Sequence, residues 1–170
     1  MPDVGKTIGT VANVGIILAT IMVGIIFVKN YILKPTNSTN NSDVVKLIGA
    51  KLPLSNVDWT KNNQTLLFVL QKDCRYCTDS APFYQRIAGN EKIKSKTQFI
   101  AVFLHSISEG AEYLKQSSIP IGEIKEISLK DLGVRGTPTL LLVDFTGVVK
   151  NVWRGKIPAS KENEVFNILQ

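Results

Sequence analysis

Apolar residues cluster in short continuous runs separated by segments with helical spacing. Leu66–Leu70, Phe99–Leu104 and Leu140–Val143 each have the length of a strand. Because polar residues do not alternate within them, these runs predict strands that are buried on both faces of a sheet. Val148–Trp153 follows a Thr-Gly turn, so it predicts the second arm of a closing hairpin.

A helix is predicted to begin at the cysteine pair, just after the first apolar run. Pro82 lies inside it and predicts a bend, because proline removes one helical hydrogen bond. The predicted buried face comprises Ala81, Phe83, Tyr84, Ile87 and Ala88.

Ser106 and Glu109 have the spacing of a capping box, which predicts another helix start. Its buried face is predicted to hold Ile107, Ala111 and Leu114.

Ser160 is predicted to cap a terminal helix whose apolar face comprises Val165, Phe166, Ile168 and Leu169. Strands that alternate with helices predict an α/β domain with a central mixed sheet.

The N-terminal part of the chain has a different pattern. From Thr7 to Val28 there is no charged residue, and a helix of that length spans the hydrocarbon core of a bilayer. No signal-peptide cleavage site follows, so we expect an uncleaved membrane anchor at residues 1–34. The stretch from Pro35 to Ser42 is polar and short-chained, which predicts a flexible linker at residues 35–44, and residues 45–170 predict the folded domain.

Charge and cysteine content exclude some classes of function. The net charge is +6, from 20 basic and 14 acidic residues, but the basic residues are scattered, which does not indicate a nucleic-acid partner. Two cysteines are too few for a secreted disulfide scaffold. The pair is therefore predicted to be used chemically.

The cysteines form the motif Cys74-Arg75-Tyr76-Cys77. A thiolate attacks a disulfide, and the unpaired N–H groups at a helix start stabilise a thiolate. If the helix begins near Cys74, this residue is the nucleophile, and Cys77 resolves the mixed disulfide. Arg75 favours the thiolate and Asp73 opposes it.

A second motif, Gly136-Thr137-Pro138-Thr139, directly precedes the third apolar run. A proline at the entrance to a strand can simply mark the point where the strand begins. It can also mark a cis peptide bond in a tight functional turn. The motif alone does not decide between the two readings.

The two motifs together resemble the thioredoxin-like fold, and with the anchor they are most similar to membrane-anchored bacterial redoxins that include the cytochrome c maturation reductases. The resemblance covers about residues 45–170 and implies a central sheet flanked by helices, with Pro138 in cis facing the cysteines. It also implies that the backbone of Thr137 pairs with a bound substrate chain. The residues that carry it are Cys74, Arg75, Tyr76, Cys77, Pro82, Val134–Thr139, Leu142–Asp144, Gly147 and Gly155, with Gly49 and Leu52–Leu54 as a lead-in.

Three positions depart from the family pattern. Asp73 stands where thioredoxins carry Trp, Phe68 replaces a buried acid, and Ser80 replaces a Glu of the cytochrome-maturation branch. These departures leave the direction of electron flow open between reductase, oxidase and isomerase.

We expect a thiol-disulfide oxidoreductase without a cofactor. Cys74 and Cys77 are the predicted catalytic residues, and Arg75, Tyr76, Thr137 and Pro138 are the predicted substrate-binding residues. Reductase is the preferred direction. Predicted partners are protein thiols or disulfides and an electron donor or acceptor in or outside the membrane. Because such chemistry suits an oxidising compartment, the domain is placed on the periplasmic side of the inner membrane, held by a single span.

Two other readings of the cysteines stay open. They can serve metal delivery, copper in particular, since thiolates favour Cu(I). His105 is the single histidine and is read as a strand-end or surface residue rather than as a ligand. Alternatively, the domain is a redox-inert interaction module.

Overall fold

A computed structural model describes the following parts of the chain: residues 20–24, 47–54, 56–104 and 106–170. The predicted linker, most of the predicted anchor and His105 lie outside these ranges. Residues 20–24 are helical and exposed. Within the described ranges, no helix combines the length and the hydrophobicity that a bilayer crossing requires.

The chain divides into two compact units, Met1–Thr39 and Asn40–Gln170. The second unit contains a five-stranded sheet with the order β3-β2-β1-β4-β5. Its strands are β1 (Gln64–Leu70), β2 (Thr97–Phe103), β3 (Glu123–Glu126), β4 (Thr139–Asp144) and β5 (Val149–Arg154). β1 pairs in parallel with β2 and antiparallel with β4, so the sheet is mixed, as predicted.

Helices connect and follow these strands. Within the described residues they are α1 (Arg75–Ala88), α2 (Glu91–Lys94), α3 (Ile107–Gln116), α4 (Leu129–Leu132) and α5 (Ala159–Leu169), and a short 3₁₀ helix, Trp59–Lys61, precedes β1. The predicted α/β domain with a mixed sheet flanked by helices is therefore confirmed.

Both faces of the sheet are buried. On one face, Phe68 and Leu70 pack against Tyr84 and Ile87 of α1, and α5 adds Val165 to the same cluster. On the other face, a second cluster of buried residues comprises Leu47, Leu52, Leu67, Val69, Leu132 and Val134, among others. Burying each large apolar side chain contributes roughly 2 kcal/mol, which explains why β1 is continuously apolar from Leu66 to Leu70.

The prediction for the buried face of α3 was wrong in part. Ser106 caps the helix as predicted, accepting a hydrogen bond from the backbone N–H of Glu109 at 3.3 Å. However, Ile107 is 52% exposed and Ala111 is exposed as well, and the face that packs on the sheet holds Gly110, Tyr113 and Leu114. Gly110 permits this rotation, because a Cβ there would lie 2.6 Å from the ring of Phe103.

The ends of the domain differ from the prediction in two further ways. The N-cap of α5 is Pro158, without a side-chain hydrogen bond, so Ser160 is not the cap. Val165 and Leu169 are buried as predicted, but Ile168 is 38% exposed. The edge strand β3 was not predicted, because its sequence, Glu-Ile-Lys-Glu, is mostly charged.

Candidate active site

The sheet topology brings the two sequence motifs to the same edge. β1 ends at Leu70, and α1 begins at Arg75 after a short loop. β4 runs antiparallel to β1, with Val69 opposite Thr139, so the start of β4 lies beside the end of β1. The motif before β4 therefore lies at the edge of the sheet that carries the cysteines.

Cys74 is the N-cap of α1, as predicted from its spacing. Its sulfur accepts a hydrogen bond from the backbone N–H of Cys77 at 3.1 Å. The two cysteines form a disulfide, with their Cα atoms 5.2 Å apart. Cys77 is fully buried and Cys74 is partly exposed. Of the two cysteines, Cys74 alone has exposed surface, which suits it to be the attacking thiol.

The loop before β4 is fixed by hydrogen bonds on both sides. The Thr137–Pro138 peptide bond is cis. The backbone N–H of Gly155 donates to the carbonyl of Pro138 at 2.7 Å. The hydroxyl of Thr137 donates to the side-chain oxygen of Gln71 at 3.5 Å, which links this loop to the one that precedes Cys74.

The backbone of Thr137 is available to a partner. Among the described residues, no backbone hydrogen bond engages either its N–H or its carbonyl. Thr137 is half-buried and Pro138 is buried. A polypeptide strand laid beside Thr137 would satisfy both backbone groups.

Arg75 and Tyr76 project from the first turn of α1. Tyr76 is 61% exposed, and Arg75 is exposed as well. In the part of the chain that the structure describes, the guanidinium of Arg75 makes no ion pair, and the ring of Tyr76 contacts no other ring. Arg and Tyr are residue types that carry much of the binding energy at protein interfaces.

Two lysines at this edge are already paired. Lys72 lies 3.6 Å from the carboxylate of Glu112 in α3. Lys156, which follows β5, lies 3.8 Å from Asp79 in α1. The second pair joins the segment after β5 to the helix that carries the cysteines.

Arg154 is a residue of this edge that the sequence did not reveal. It lies opposite Thr139 across the β4–β5 ladder. The three nitrogens of its guanidinium are buried and have no hydrogen-bond partner within the described structure. Only the pairing register of β4 and β5 places Arg154 beside the motif at Pro138, and the sequence alone does not give that register.

Phe68 and Ser80, two of the positions that depart from the family pattern, have structural roles. Phe68 is fully buried, and its ring meets those of Tyr84 and Phe99 edge-on at 5.4 Å and 6.0 Å. The hydroxyl of Ser80 donates to the carbonyl of Tyr76 at 2.7 Å. Burial raises the pKa of Tyr84 well above its ordinary value. The rings of Phe68, Tyr84 and Phe99 therefore pack in the same core cluster as Cys77, and β1 contributes no carboxylate there at position 68.

Two cavities adjoin the described part of the sheet. A cavity of about 510 Å³ lies at the opposite end of the sheet, where Lys61, Thr97 and Glu123 contribute to its wall. A second one, of about 220 Å³, lies at the end of β5, where Trp153, Arg154 and Lys156 contribute to its wall beside α5. Neither is lined by Cys74 or Cys77. Within the described ranges, no cluster of three or more His, Cys, Asp or Glu side chains is arranged to hold a metal ion.

Comparisons with known proteins agree with this arrangement. The family model described as a thioredoxin-like domain matches residues 57–168. A search among curated proteins gives no match. Among solved structures, the chain is similar to a Chlorobium tepidum protein assigned as the thiol:disulfide interchange protein DsbE. The identity is 25% and the TM-score 0.52, over 66% of this chain and 84% of that one.

Two further structures share the fold at lower identity. The thioredoxin domain of a thiol-disulfide oxidoreductase from Bacteroides vulgatus has a TM-score of 0.56 and 14% identity, over 72% of this chain and 98% of that one. A thiol-disulfide isomerase from Corynebacterium glutamicum has a TM-score of 0.52 and 17% identity, over 72% and 91%. The family match, together with the Cys74–Cys77 pair at the start of α1, shows that the chain belongs to the thioredoxin-like domain family and is a thiol-disulfide oxidoreductase.

Proposed function

We propose that this protein is a membrane-tethered reductase of disulfides in extracytoplasmic proteins. The observation that carries the proposal is the pairing of a partly exposed Cys74 with a fully buried Cys77 at the start of α1. Beside them, the backbone of Thr137, which makes no backbone hydrogen bond to the described residues, offers a place for a substrate polypeptide.

The proposed reaction proceeds in two exchanges. The thiolate of Cys74 attacks one sulfur of a substrate disulfide, forming a mixed disulfide and releasing the first substrate thiolate. The thiolate of Cys77 then attacks the sulfur of Cys74, which releases the second substrate thiolate and forms the Cys74–Cys77 disulfide. Two electrons pass to the substrate, and a dithiol donor must reduce the pair again before the next cycle.

Substrate binding is assigned to residues around the reactive sulfur. Thr137 pairs with the substrate backbone, and Pro138 shapes the loop that holds it. Arg75 and Tyr76 contact substrate side chains, because both are exposed and uncommitted among the described residues. A polypeptide is the favoured substrate, since the backbone of Thr137, which no described backbone group engages, can pair with an extended chain.

The direction of the reaction is supported by the resemblance of the sequence motifs to the cytochrome c maturation reductases. The fold itself does not determine it, because the related structures include both an interchange protein and an isomerase. The reduction potential of the couple distinguishes the alternatives.

The membrane location is supported by the uncharged segment from Thr7 to Val28 and by the cysteine chemistry. In this arrangement residues 1–34 anchor the chain, residues 35–44 act as a tether, and residues 45–170 work outside the cytoplasm. Reporter fusions to the C-terminus test the topology: a reporter active only in the periplasm should report activity, and one active only in the cytoplasm should not.

The central test is the reduction potential of the Cys74/Cys77 couple in the full-length chain, measured by equilibration with glutathione or dithiothreitol. We expect a value near that of thioredoxin, about −270 mV. A value near about −120 mV, typical of a strong periplasmic oxidant, would reject the reductase assignment. The Cys74→Ser variant is the control, because it cannot form the couple.

A further inference from the structure

The segments that surround Cys74 carry an excess of positive charge. They are residues 71–79, 134–139 and 153–156, which meet at one edge of the sheet. Their acidic residues are Asp73 and Asp79. Their basic residues are Lys72, Arg75, Arg135, Arg154 and Lys156.

Existing ion pairs cancel part of this charge. Lys156 is balanced by Asp79 at 3.8 Å, and Lys72 is balanced by Glu112 at 3.6 Å. Two guanidinium groups are left without an ion pair in the described structure. That of Arg75 is exposed, and that of Arg154 is buried and lacks even a hydrogen-bond partner.

Arg154 strengthens the positive potential without providing a contact. Its buried charge is weakly screened, because it lies in a medium of lower dielectric constant than water. It is also adjacent to the loop at Pro138, since Thr139 is its ladder partner and Gly155 bonds to the carbonyl of Pro138. A substrate strand beside Thr137 would therefore run through a positive field.

Arg75 is the side chain that can bind a carboxylate of the substrate within this positive field. It follows Cys74 directly and lies in the first turn of α1, whose N-terminus adds its own positive dipole. A guanidinium presents a planar fork of donors that matches the two oxygens of a carboxylate. Tyr76, exposed beside it, offers an aromatic surface to the same segment of a partner.

From these contacts we infer that the site selects partner polypeptides that carry an acidic residue close to the cysteine that pairs with Cys74, and that Arg75 binds its carboxylate. The inference rests on the proposed function, because it concerns the substrate of the same site. It assigns a chemical class to the partner, an acidic segment around the target disulfide.

Single-turnover reduction of synthetic peptide disulfides tests this inference. The peptides differ only at one position near the target cysteine, which is Asp, Asn or Lys. The full-length chain is first reduced and freed of excess reductant, so its own dithiol supplies the two electrons. We expect the second-order rate constant to be about three- to tenfold higher for the Asp peptide than for the Asn peptide at low ionic strength.

The ratio of the rate constants for the Asp and Asn peptides separates recognition of the acidic residue from the reactivity of the Cys74 thiolate. Arg75→Gln also changes the basicity of the Cys74 thiolate, but that change affects both peptides equally and cancels in the ratio. We expect Arg75→Gln to bring the ratio close to one, as should added salt. Arg75→Glu should reverse the preference toward the Lys peptide.

Lys61→Gln is the matched control, since Lys61 is a basic residue near the opposite edge of the sheet. It should leave the preference unchanged. Equal rates for the Asp and Asn peptides, or a preference that persists in Arg75→Gln, would overturn the inference while leaving the proposed function intact. Failure to reduce any peptide would overturn both.

Discussion

The backbone N–H of Cys77 points at the sulfur of Cys74 across 3.1 Å. In the reduced protein this N–H and its neighbours at the start of α1 would stabilise negative charge on that sulfur. Cys77 has no corresponding position, because it lies one turn inside the helix and is fully buried. The asymmetry assigns different roles to two chemically identical side chains.

Removing each cysteine should therefore have a different result. We expect Cys74→Ala to abolish turnover of a model disulfide. Cys77→Ala should instead accumulate mixed disulfides, because Cys74 attacks but nothing resolves the product. Non-reducing electrophoresis with mass spectrometry of the adduct measures this. Adducts on Cys77 in the Cys74→Ala variant, with none on Cys74 in the other, would reverse the assignment of the nucleophile.

Restoring the acid that thioredoxins place at position 68 should destabilise this protein. Phe68 is fully buried against two aromatic rings, so Phe68→Asp would leave a carboxylate in an apolar site. We expect a loss of at least about 4 kcal/mol in the free energy of unfolding.

Phe68→Leu is the control for lost volume and should cost about 1–2 kcal/mol. Urea unfolding measures both variants. If the Asp variant proved as stable as the Leu variant, the core around Phe68 would have to admit water or a counter-charge that the structure does not show.

Gly110 is required for the packing of α3 on β2. A Cβ at this position would lie 2.6 Å from Cδ2 of Phe103, whose ring is also held against Tyr113. Gly110→Ala should thus destabilise the domain by about 1–2 kcal/mol, even though alanine favours a helix by about 1 kcal/mol.

Gly122→Ala is the matched substitution in open space, since no atom lies within 4 Å of the added Cβ. Its effect on the free energy of unfolding should stay within about 0.5 kcal/mol. Thermal or urea unfolding of both variants gives the comparison. A neutral Gly110→Ala variant would mean that Phe103 changes rotamer at no cost.

Alkaline pH should reveal the burial of Tyr84. Burial raises its pKa above the ordinary value of 10.0. The folded state therefore holds the phenol neutral, and this stabilisation is complete below pH 10.0 and is lost as the pH rises through the folded pKa.

Between about pH 9 and about pH 11, the free energy of unfolding should fall more steeply for the wild type than for Tyr84→Phe. The difference in slope approaches about 1.4 kcal/mol per pH unit above the unfolded pKa. Urea titrations at several pH values measure it. Parallel slopes would indicate that Tyr84 ionises as freely in the folded state as in the unfolded state.

The buried strands were predictable because their sequences contain the whole signal. β1 and β4 contain the continuous apolar runs Leu66–Leu70 and Leu140–Val143, and such runs are stable only when both faces are covered. β3 carries no such signal, since it is a short edge strand whose pairing with β2 depends on the main chain. The face of α3 was missed for a similar reason: a glycine contributes no hydrophobicity, yet Gly110 makes the closest approach to the sheet.

The candidate site was predictable only where neighbours in sequence are neighbours in space. Cys74 and Cys77 were found because one helix turn joins them. Arg154 was not, because its position depends on a register shift between Leu142 and Val143 in the β4–β5 ladder. A shift of one residue exchanges the two faces of a strand, so without it Trp153 would stand opposite Thr139. No local sequence pattern in the hairpin predicts this register shift.

Residues 47–52, which precede the family match, limit where the domain can be truncated. Leu47 and Leu52 are buried in the second core cluster, and Lys51 bridges to Val148 beside the start of β5. The backbone of Gly49 also donates to the carbonyl of Val149 at 2.8 Å. A fragment that begins where the family match begins would lose these side chains and uncover an edge strand. Any separately produced domain should therefore start upstream of Leu47.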